Sequence, residues 1–237
     1  MSMAIRSSRG ACRGAALQSL HAGHGERPSP RIELIMEGIM ANAPSQAQTP
    51  RGINHLVLNV RDLEASHRFW TEIIGFQCVA ELKPKPGRQR PKMRFYSGVD
   101  PQGRVTHHDL ALAEISKGDG AGEAHPPWSM MPGRVGLNHV AICWPDRESW
   151  LKQLAFLRSK GVLFHRRVNH GMTHSVYISD PDGHGIEVLY ELPREVWEGD
   201  IDAAQNYAEQ LPTEGDESMM DSTDNPVFEA PAVSSRT

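Results

Sequence analysis

The stretch GLNHVAICW, residues 136–144, repeats the earlier stretch GINHLVLNV, residues 52–60, almost position for position. Both stretches are short, largely apolar and β-like, which predicts a strand for each. Each carries an Asn-His pair at the same point, so His55 and His139 occupy equivalent positions. Two similar strands that share a histidine indicate an internal repeat.

The repeat extends over residues 52–115 and 136–190. In each copy the first strand is followed by a helix and then by three further strands. A matching turn precedes the last strand, DPQG at 100–103 and DPDG at 180–183. Two such modules are too few for a solenoid, so we expect them to pair. The predicted fold class is α+β, with two βαβββ modules forming a paired, partly open sheet barrel around a metal site.

The ends of the two predicted helices are marked by residue type. Asp62 and Asp146 stand where an N-cap is needed, because their short carboxylates accept hydrogen bonds from the first free backbone N–H groups. Gly75 and Gly161 follow the helical spacing and are suited to end each helix.

The repeat divides the chain into a central domain, residues 50–192, and two flanking segments. Residues 1–49 are rich in Ala, Ser, Gly and Arg and are expected to be a disordered extension, with an organelle transit peptide as the alternative. The Gly/Pro-rich segment 116–135 is predicted to link the modules. The tail, 193–237, is expected to form a short helix near 200–210 and then to be disordered.

Composition excludes several classes of protein. No apolar run approaches the ~20 residues of a membrane span. A net charge of −4 gives no basic surface for nucleic acid. The three cysteines are far apart and odd in number, so we expect no disulfide framework and a cytoplasmic location. Exposed sheet edges favour a homodimer or a higher homo-oligomer.

A third candidate ligand joins the two histidines. In GIEVLY, Glu187 alternates with Ile186 and Val188, so its side chain is expected on the opposite face of the sheet. If the modules pack about a pseudo-two-fold axis, His55 and His139 face each other and Glu187 joins them from a neighbouring strand. Two imidazoles and one carboxylate with open positions form the facial triad of non-haem Fe(II).

Three motifs carry a resemblance to a known family. They are HDLAL at 108–112, GRVGLNHVAI at 133–142 and NHGMTHSVYISDPDGHGIEVLY at 169–190. Together they resemble the vicinal oxygen chelate superfamily of glyoxalase, bleomycin resistance and dioxygenase proteins, and within it the type I extradiol catechol dioxygenases. The resemblance covers residues 50–192. It implies a mononuclear Fe(II) centre, with Mn(II) as the alternative metal, held by His55, His139 and Glu187.

The resemblance also implies catalytic residues in the second module. Tyr177, ten residues before Glu187, would hydrogen-bond a deprotonated catechol oxygen. His170 would take a proton from the incoming diol. His174 is the alternative for that role, because the loop here is shorter than in the better-known members.

A catalytic residue in the first module is implied as well. Matching HDLAL selects His108 as the acid/base that stabilises the bound oxygen species and donates a proton. Counting from the turn instead makes His107 the counterpart of Glu187. Neighbouring residues of a strand point to opposite faces, so one of the two histidines is expected to line the site.

The resemblance implies an extradiol dioxygenase of aromatic compound catabolism. It would open the ring of a catechol-type diol beside its hydroxyls and incorporate both atoms of O₂; the sequence leaves open which catechol. One alternative is a glyoxalase-type isomerase or lyase with Zn(II) or Ni(II), which generally recruits a carboxylate from the last strand of module 1, where Glu114 lies too far along. A second is a non-catalytic binding protein. Trp128 and Trp144 are candidates either for the pocket wall or for linker and core packing.

Overall fold

The computed structural model describes residues 50, 52–84, 86–87, 91–115, 128–130 and 136–229. The chain divides into two compact units, Met1–Gly52 and Ile53–Thr237, and every element described below lies in the second. The predictions for 1–49 and for most of the segment 116–135 concern residues outside the described ranges.

Module 1 forms a four-stranded sheet with one helical segment. Its elements are β1 (Leu56–Val60), α1 (Leu63–Arg68) with a π-helical continuation (Phe69–Ile73), β2 (Gln77–Glu81), β3 (Met93–Ser97) and β4 (Leu110–Glu114). The strand order is β1-β4-β3-β2, with β1 parallel to β4 and the other pairs antiparallel.

Module 2 repeats this order and adds a strand from the tail. Its elements are β5 (His139–Cys143), α2 (Arg147–Ser159), β6 (Arg166–Asn169), β7 (Thr173–Ser179) and β8 (Gly185–Glu191). The tail contributes α3 (Arg194–Trp197), a 3₁₀ turn (Glu198–Asp200), α4 (Ile201–Asn206), β9 (Glu209–Gln210) and a second 3₁₀ turn (Asp216–Met219). The strand order is β5-β8-β7-β6-β9.

The α+β class and the two βαβββ modules are confirmed. The two sheets nevertheless stay open, because in the described part of the chain β1 and β5 are edge strands that pair only with β4 and β8 of their own modules. A cavity lies between these two edges. The partly open barrel is therefore two facing open sheets.

Both helices begin as their sequences predict. The Asp62 carboxylate accepts hydrogen bonds from the backbone N–H groups of Glu64 and Ala65, and that of Asp146 accepts one from Ser149. Gly75 and Gly161 have φ angles of +94° and +72°, a left-handed conformation that favours glycine.

The helices of the two modules share one apolar core with the inner sides of the sheets. Its largest members are Trp70, Trp150 and Tyr96, all fully buried. The DPDG turn also joins the modules, because the buried Asp182 carboxylate accepts hydrogen bonds from Arg61 Nε at 2.6 Å and Ser66 Oγ at 3.2 Å. This contact fixes the start of β8 against module 1.

The tail departs from the expectation of disorder after its helix. The predicted helix near 200–210 corresponds to α4, but the chain then keeps a defined course on module 2 as far as Glu229. Polar pairing explains the difference, because the Asp221 carboxylate is fully buried and is hydrogen-bonded by His174 and Tyr190. The backbone N–H of Phe228 donates to Val196 O of α3.

Candidate functional site

His139 and Glu187 converge on the face of module 2 opposite the helix. The parallel register of β5 and β8 sets Ala141 opposite Glu187, and His139 lies two residues earlier on the same face. His139 Nε2 is 3.0 Å from Glu187 Oε2. Two donors each about 2.1 Å from a common metal ion, at a right angle, are about 3.0 Å apart. The spacing of the pair therefore suits two ligands of one ion.

Asn138 orients the imidazole ring of His139. The Asn138 amide Nδ2 donates to Met130 O at 3.0 Å, which turns its carbonyl oxygen towards His139 Nδ1, 2.7 Å away. A carbonyl oxygen only accepts, so Nδ1 of His139 donates to Asn138 and Nε2 faces Glu187 Oε2. An imidazole oriented in this way by a second residue is typical of metal ligands.

The second oxygen of Glu187 belongs to a hydrogen-bonded chain. The Tyr177 hydroxyl donates to Glu187 Oε1 at 2.8 Å, and its oxygen lies 3.0 Å from His170 Nε2. Burial acts to raise the pKa of Glu187, but the hydrogen bonds that its carboxylate accepts outweigh burial and leave the pKa below its ordinary value. Burial, with the charge of Glu187, raises the pKa of Tyr177, so its hydroxyl stays protonated.

Among the hydrogen-bonded side chains Glu187, Tyr177 and His170, the imidazole of His170 is the group that accepts a proton at neutral pH. Burial lowers its pKa below the ordinary value, so the imidazole is neutral. A cavity of about 290 Å³ opens beside it, and the side chains around the cavity include His170, Met172, Tyr177, Glu187, Leu189 and Gln205. Gln205 belongs to α4, so the tail forms one wall of this cavity.

His174, the alternative to His170, lies on the other face of β7. It is 1% exposed, and both of its ring nitrogens are engaged, Nδ1 by Asp221 Oδ1 at 2.6 Å and Nε2 by Asn225 Oδ1 at 2.7 Å. Of the two histidines, His170 lies beside Tyr177, whereas His174 lies in the contact between module 2 and the tail.

Trp128, from the linker, covers the Tyr177 ring. The two rings stack with centroids 5.0 Å apart and planes 3° apart, and the indole N–H donates to Asn138 O at 2.7 Å. A Cβ at Gly185 would overlap Trp128 Nε1, so glycine is required for this approach. The sequence alone offers Trp128 either for the pocket wall or for linker and core packing. Gly185, the first residue of β8, is the sequence signal that predicts this position of Trp128.

His55 lies in a separate cluster of histidines in module 1. Its Nδ1 is 2.8 Å from Asn54 Oδ1, the same arrangement as in the second Asn-His pair. The ring of His55 is 4.3 Å from that of His108 and 6.3 Å from that of His107, centroid to centroid. Burial, helped by the two neighbouring histidines, lowers the pKa of His108.

The register of the two sheets corrects the assignment of His107 as the module 1 counterpart of Glu187, which comes from counting residues after each turn. Ala111 lies opposite Val57 in β1 just as Glu187 lies opposite Ala141 in β5, so Ala111, rather than His107, is the module 1 counterpart of Glu187. The count fails because β8 begins two residues after its turn glycine, whereas β4 begins seven residues after Gly103. Module 1 thus offers an alanine where module 2 offers a carboxylate.

The structure leaves the candidate ligands as two half-sites. One holds His139 and Glu187, and the other holds His55 with its histidine neighbours. Within the described ranges, no three His, Cys, Asp or Glu side chains are placed closely enough to hold one metal ion together. The donor types of both half-sites fit a divalent metal, and the spacing of the His139–Glu187 pair fits it as well.

Comparison with known proteins gives a family match over most of the module region. A family model described as the Glyoxalase/Bleomycin resistance protein/Dioxygenase superfamily matches residues 52–188. The chain is 30% identical over 150 residues to a catechol-2,3-dioxygenase of Bacillus subtilis, which covers 62% of this chain and 44% of that protein. It is 31% identical over 144 residues to biphenyl-2,3-diol 1,2-dioxygenase 3 of Rhodococcus globerulus, which covers 59% of this chain and 63% of that protein. The chain therefore spans less than two thirds of these two relatives.

A relative with another activity matches along nearly its whole length. A lactoylglutathione lyase of Pseudomonas putida is 27% identical over 172 residues, 67% of this chain and 95% of that protein. Among solved structures, a glyoxylase/bleomycin resistance protein/dioxygenase domain from Frankia sp. EAN1pec is 22% identical with a TM-score of 0.44, and covers 61% of this chain and all of that one.

Proposed function

This chain belongs to the glyoxalase/bleomycin resistance protein/dioxygenase superfamily, and from that premise we propose that it is an extradiol dioxygenase. It would cleave the ring of a catechol-type aromatic diol beside the two hydroxyls and incorporate both atoms of O₂. The metal would be Fe(II), with Mn(II) as the alternative, held by His55, His139 and Glu187. The first two relatives are named as dioxygenases of aromatic diols, which supports this activity.

The observation that carries the proposal is the His139–Glu187 pair. Its Nε2–Oε2 distance of 3.0 Å and the ring orientation that Asn138 gives His139 suit two neighbouring metal ligands. His55 repeats the Asn-His arrangement in module 1, which supports it as the third ligand. The proposal requires His55 to join the pair when metal binds, and a metal titration of the His55→Ala variant tests that requirement.

When bound, Fe(II) would relay electrons from the diol to O₂ and favour the ionised diol. The protein's own groups would handle the protons. His170, neutral because burial lowers its pKa, would accept a proton from the incoming diol. The Tyr177 hydroxyl stays protonated and would exchange its hydrogen bond to Glu187 Oε1 for one to the diol oxygen when the diol binds. Leu189 and Met172, with α4 beside them, would exclude water from this side.

His108 would act on the opposite side as acid and base. It is half-buried, and its ring also contacts Phe95 edge-on at 5.1 Å, whereas His107 is exposed. The half-buried position beside His55 supports His108 as the catalytic residue of the two. General acid–base assistance of this kind contributes about 10²–10⁴ in rate.

A glyoxalase-type lyase is the second candidate, because the Pseudomonas putida lyase is matched along 95% of its length. Such an enzyme generally takes a further carboxylate ligand from the last strand of module 1. Ala111 occupies the position equivalent to Glu187, and the Glu114 carboxylate is engaged by Leu63 N and Lys92 Nζ. These observations favour the dioxygenase over the lyase.

A parallel assay of the two activities tests the proposal. The protein is loaded anaerobically with Fe(II) and supplied with catechols and O₂, and separately with Zn(II) or Ni(II) and the hemithioacetal of methylglyoxal and glutathione. We expect the Fe(II)-loaded protein to form yellow ring-opened product from catechols and O₂ and to be the more active of the two preparations. The His139→Ala variant should form no such product. Isomerisation of the hemithioacetal without catechol cleavage would contradict the proposal.

The cellular setting of this activity is also a proposal. We place the enzyme in the cytoplasm as a homo-oligomer acting on a small aromatic diol, without nucleic-acid or membrane partners. In the described part of the chain, no helix is both long and apolar enough to cross a bilayer. Sedimentation of the purified protein would measure its oligomeric state.

A further inference from the structure

The tail is held firmly against the loop that carries His170. In α4, the Asp200 carboxylate accepts a hydrogen bond at 2.9 Å from a backbone N–H of the first turn, and Ala204 is fully buried. Further along the tail, the Phe228 ring packs so closely on Gly171 that a Cβ there would overlap it. The part of α4 that lines the cavity beside His170 is therefore a fixed wall.

Gln205 of α4 brings unused hydrogen-bonding capacity to this cavity. It lines the cavity together with His170, Tyr177 and Glu187. Its Nε2 donates to Met172 Sδ at 3.6 Å, and a thioether is a weak acceptor. No described residue donates a hydrogen bond to its Oε1. Because Gln205 is exposed, a ligand in the cavity can reach its amide.

The rest of the cavity wall restricts the group that Gln205 can bind. Met172, Leu189 and Ala204 are apolar, and among the described residues no lysine or arginine lines the cavity. A carboxylate on the ligand would therefore find no cation there. The volume of about 290 Å³ is close to the lower end of the range for small-molecule sites, roughly 300–1,000 Å³. The cavity suits a small ring that carries an uncharged hydrogen-bond donor.

We infer that Gln205 selects the substrate, because its Oε1 accepts a hydrogen bond from a hydroxyl on the ring substituent. The substrate class is then a catechol with a short hydroxylated side chain. Identifying the ligand as a catechol rests on the proposed dioxygenase function, whereas the preference for a hydroxyl rests on Gln205 and the cavity wall alone. The tail thus determines specificity and takes no part in the chemistry.

Anaerobic binding of two matched diols to the metal-free protein tests the preference for a hydroxyl. 4-(Hydroxymethyl)catechol and 4-ethylcatechol have nearly the same shape, but only the first has a hydroxyl on its side chain. The affinity of the first relative to the second should fall about threefold to tenfold in Gln205→Met, the effect of one net hydrogen bond. In NMR spectra, the first diol should also shift the Gln205 side-chain amide resonances, assigned by their absence in Gln205→Met.

Further variants separate the hydrogen bond from the packing of α4. Gln205→Glu keeps an acceptor oxygen of the same reach and should retain the affinity ratio. Asn206→Leu, at the next exposed residue of α4 and outside the cavity wall, is the matched control and should also retain it. A ratio that stays unchanged in Gln205→Met, a ratio that falls equally in Asn206→Leu, or failure of both diols to bind would overturn the inference.

Turnover of the same two diols separates this inference from the proposed function. With Fe(II) bound, Gln205→Met should raise KM for 4-(hydroxymethyl)catechol more than for 4-ethylcatechol, as expected when a binding contact is lost. Cleavage of both diols with KM values that Gln205→Met changes equally contradicts the specificity role while upholding the dioxygenase. An affinity ratio that depends on Gln205, in a protein that cleaves no catechol, contradicts the dioxygenase while upholding the hydroxyl preference of the cavity.

Discussion

At the scale of single residues, the repeated Asn-His pair explains most of the site. Each asparagine oxygen lies 2.7–2.8 Å from Nδ1 of the following histidine, and in module 2 this orients Nε2 towards Glu187. In module 2 the amide orientation is itself fixed by Met130 O. The sequence predicts the two histidines from their spacing, but the role of the asparagines depends on side-chain geometry that spacing does not contain.

Replacing Asn138 with Ala should weaken metal binding without removing a ligand. The His139 ring would lose the acceptor that orients it, and loss of such a partner typically costs about 10- to 100-fold in metal affinity. Calorimetric titration with Mn(II) measures the change. Asn54→Ala should give a comparable loss if His55 is the third ligand. Unchanged affinity in Asn138→Ala would contradict the orienting role.

At the scale of secondary-structure elements, register and loop length decide what the sequence could predict. The strand–helix–strand order and the helix caps follow from local patterns, and the structure reproduces them. The module 1 counterpart of Glu187 does not follow from local patterns, because it depends on the six residues between Gly103 and β4. The π-helical continuation Phe69–Ile73 is likewise a feature that the helical spacing of apolar residues does not predict.

Gly185→Ala tests how β8 and the linker build the wall over Tyr177. The added methyl would overlap the Trp128 indole, so the indole must leave the Tyr177 ring, at a cost of about 1–3 kcal/mol in stability. The indole resonance of Trp128, assigned with Trp128→Phe, should move. Gly98→Ala is the matched control, since its methyl would meet neighbours at 3.7–3.8 Å, ordinary contact distances. A Trp128 resonance that does not move in Gly185→Ala would refute the close approach.

At the scale of the whole molecule, one carboxylate ties the tail to module 2. Asp221 has no exposed side-chain surface and pairs with Arg147 at 2.9 Å as well as with His174. Composition predicts disorder for this acidic, polar tail, because an average over many residues does not register a single buried ion pair. The tail in turn supplies α4, which lines the cavity beside His170.

Asp221→Asn should destabilise the protein by about 3 kcal/mol at neutral pH, because it leaves the buried guanidinium of Arg167, 3.4 Å from the Asp221 carboxylate, uncompensated. Burial acts to raise the pKa of Asp221, but its hydrogen bonds outweigh burial and hold the pKa below the ordinary 3.8. A lowered pKa in the folded state gives stability that is present above pH 3.8 and is lost as the pH falls through the folded value.

Urea unfolding between pH 7 and pH 3 measures this contribution. The difference in unfolding free energy between the unmodified protein and Asp221→Asn should be constant near neutrality and shrink below about pH 4. Asp224→Asn, at an exposed residue of the same segment, is the control and should follow the unmodified protein. A difference that stays constant down to pH 3 would contradict the lowered pKa of Asp221.

The most direct test of the central claim is ring cleavage by the Fe(II)-loaded protein under ¹⁸O₂, with the product analysed by mass spectrometry. A dioxygenase whose Fe(II) is held by His55, His139 and Glu187 should place two labelled oxygen atoms in a ring-opened product. The Glu187→Gln variant should form no ring-opened product. A product that carries no label, or a Glu187→Gln variant as active as the unmodified protein, would contradict the account.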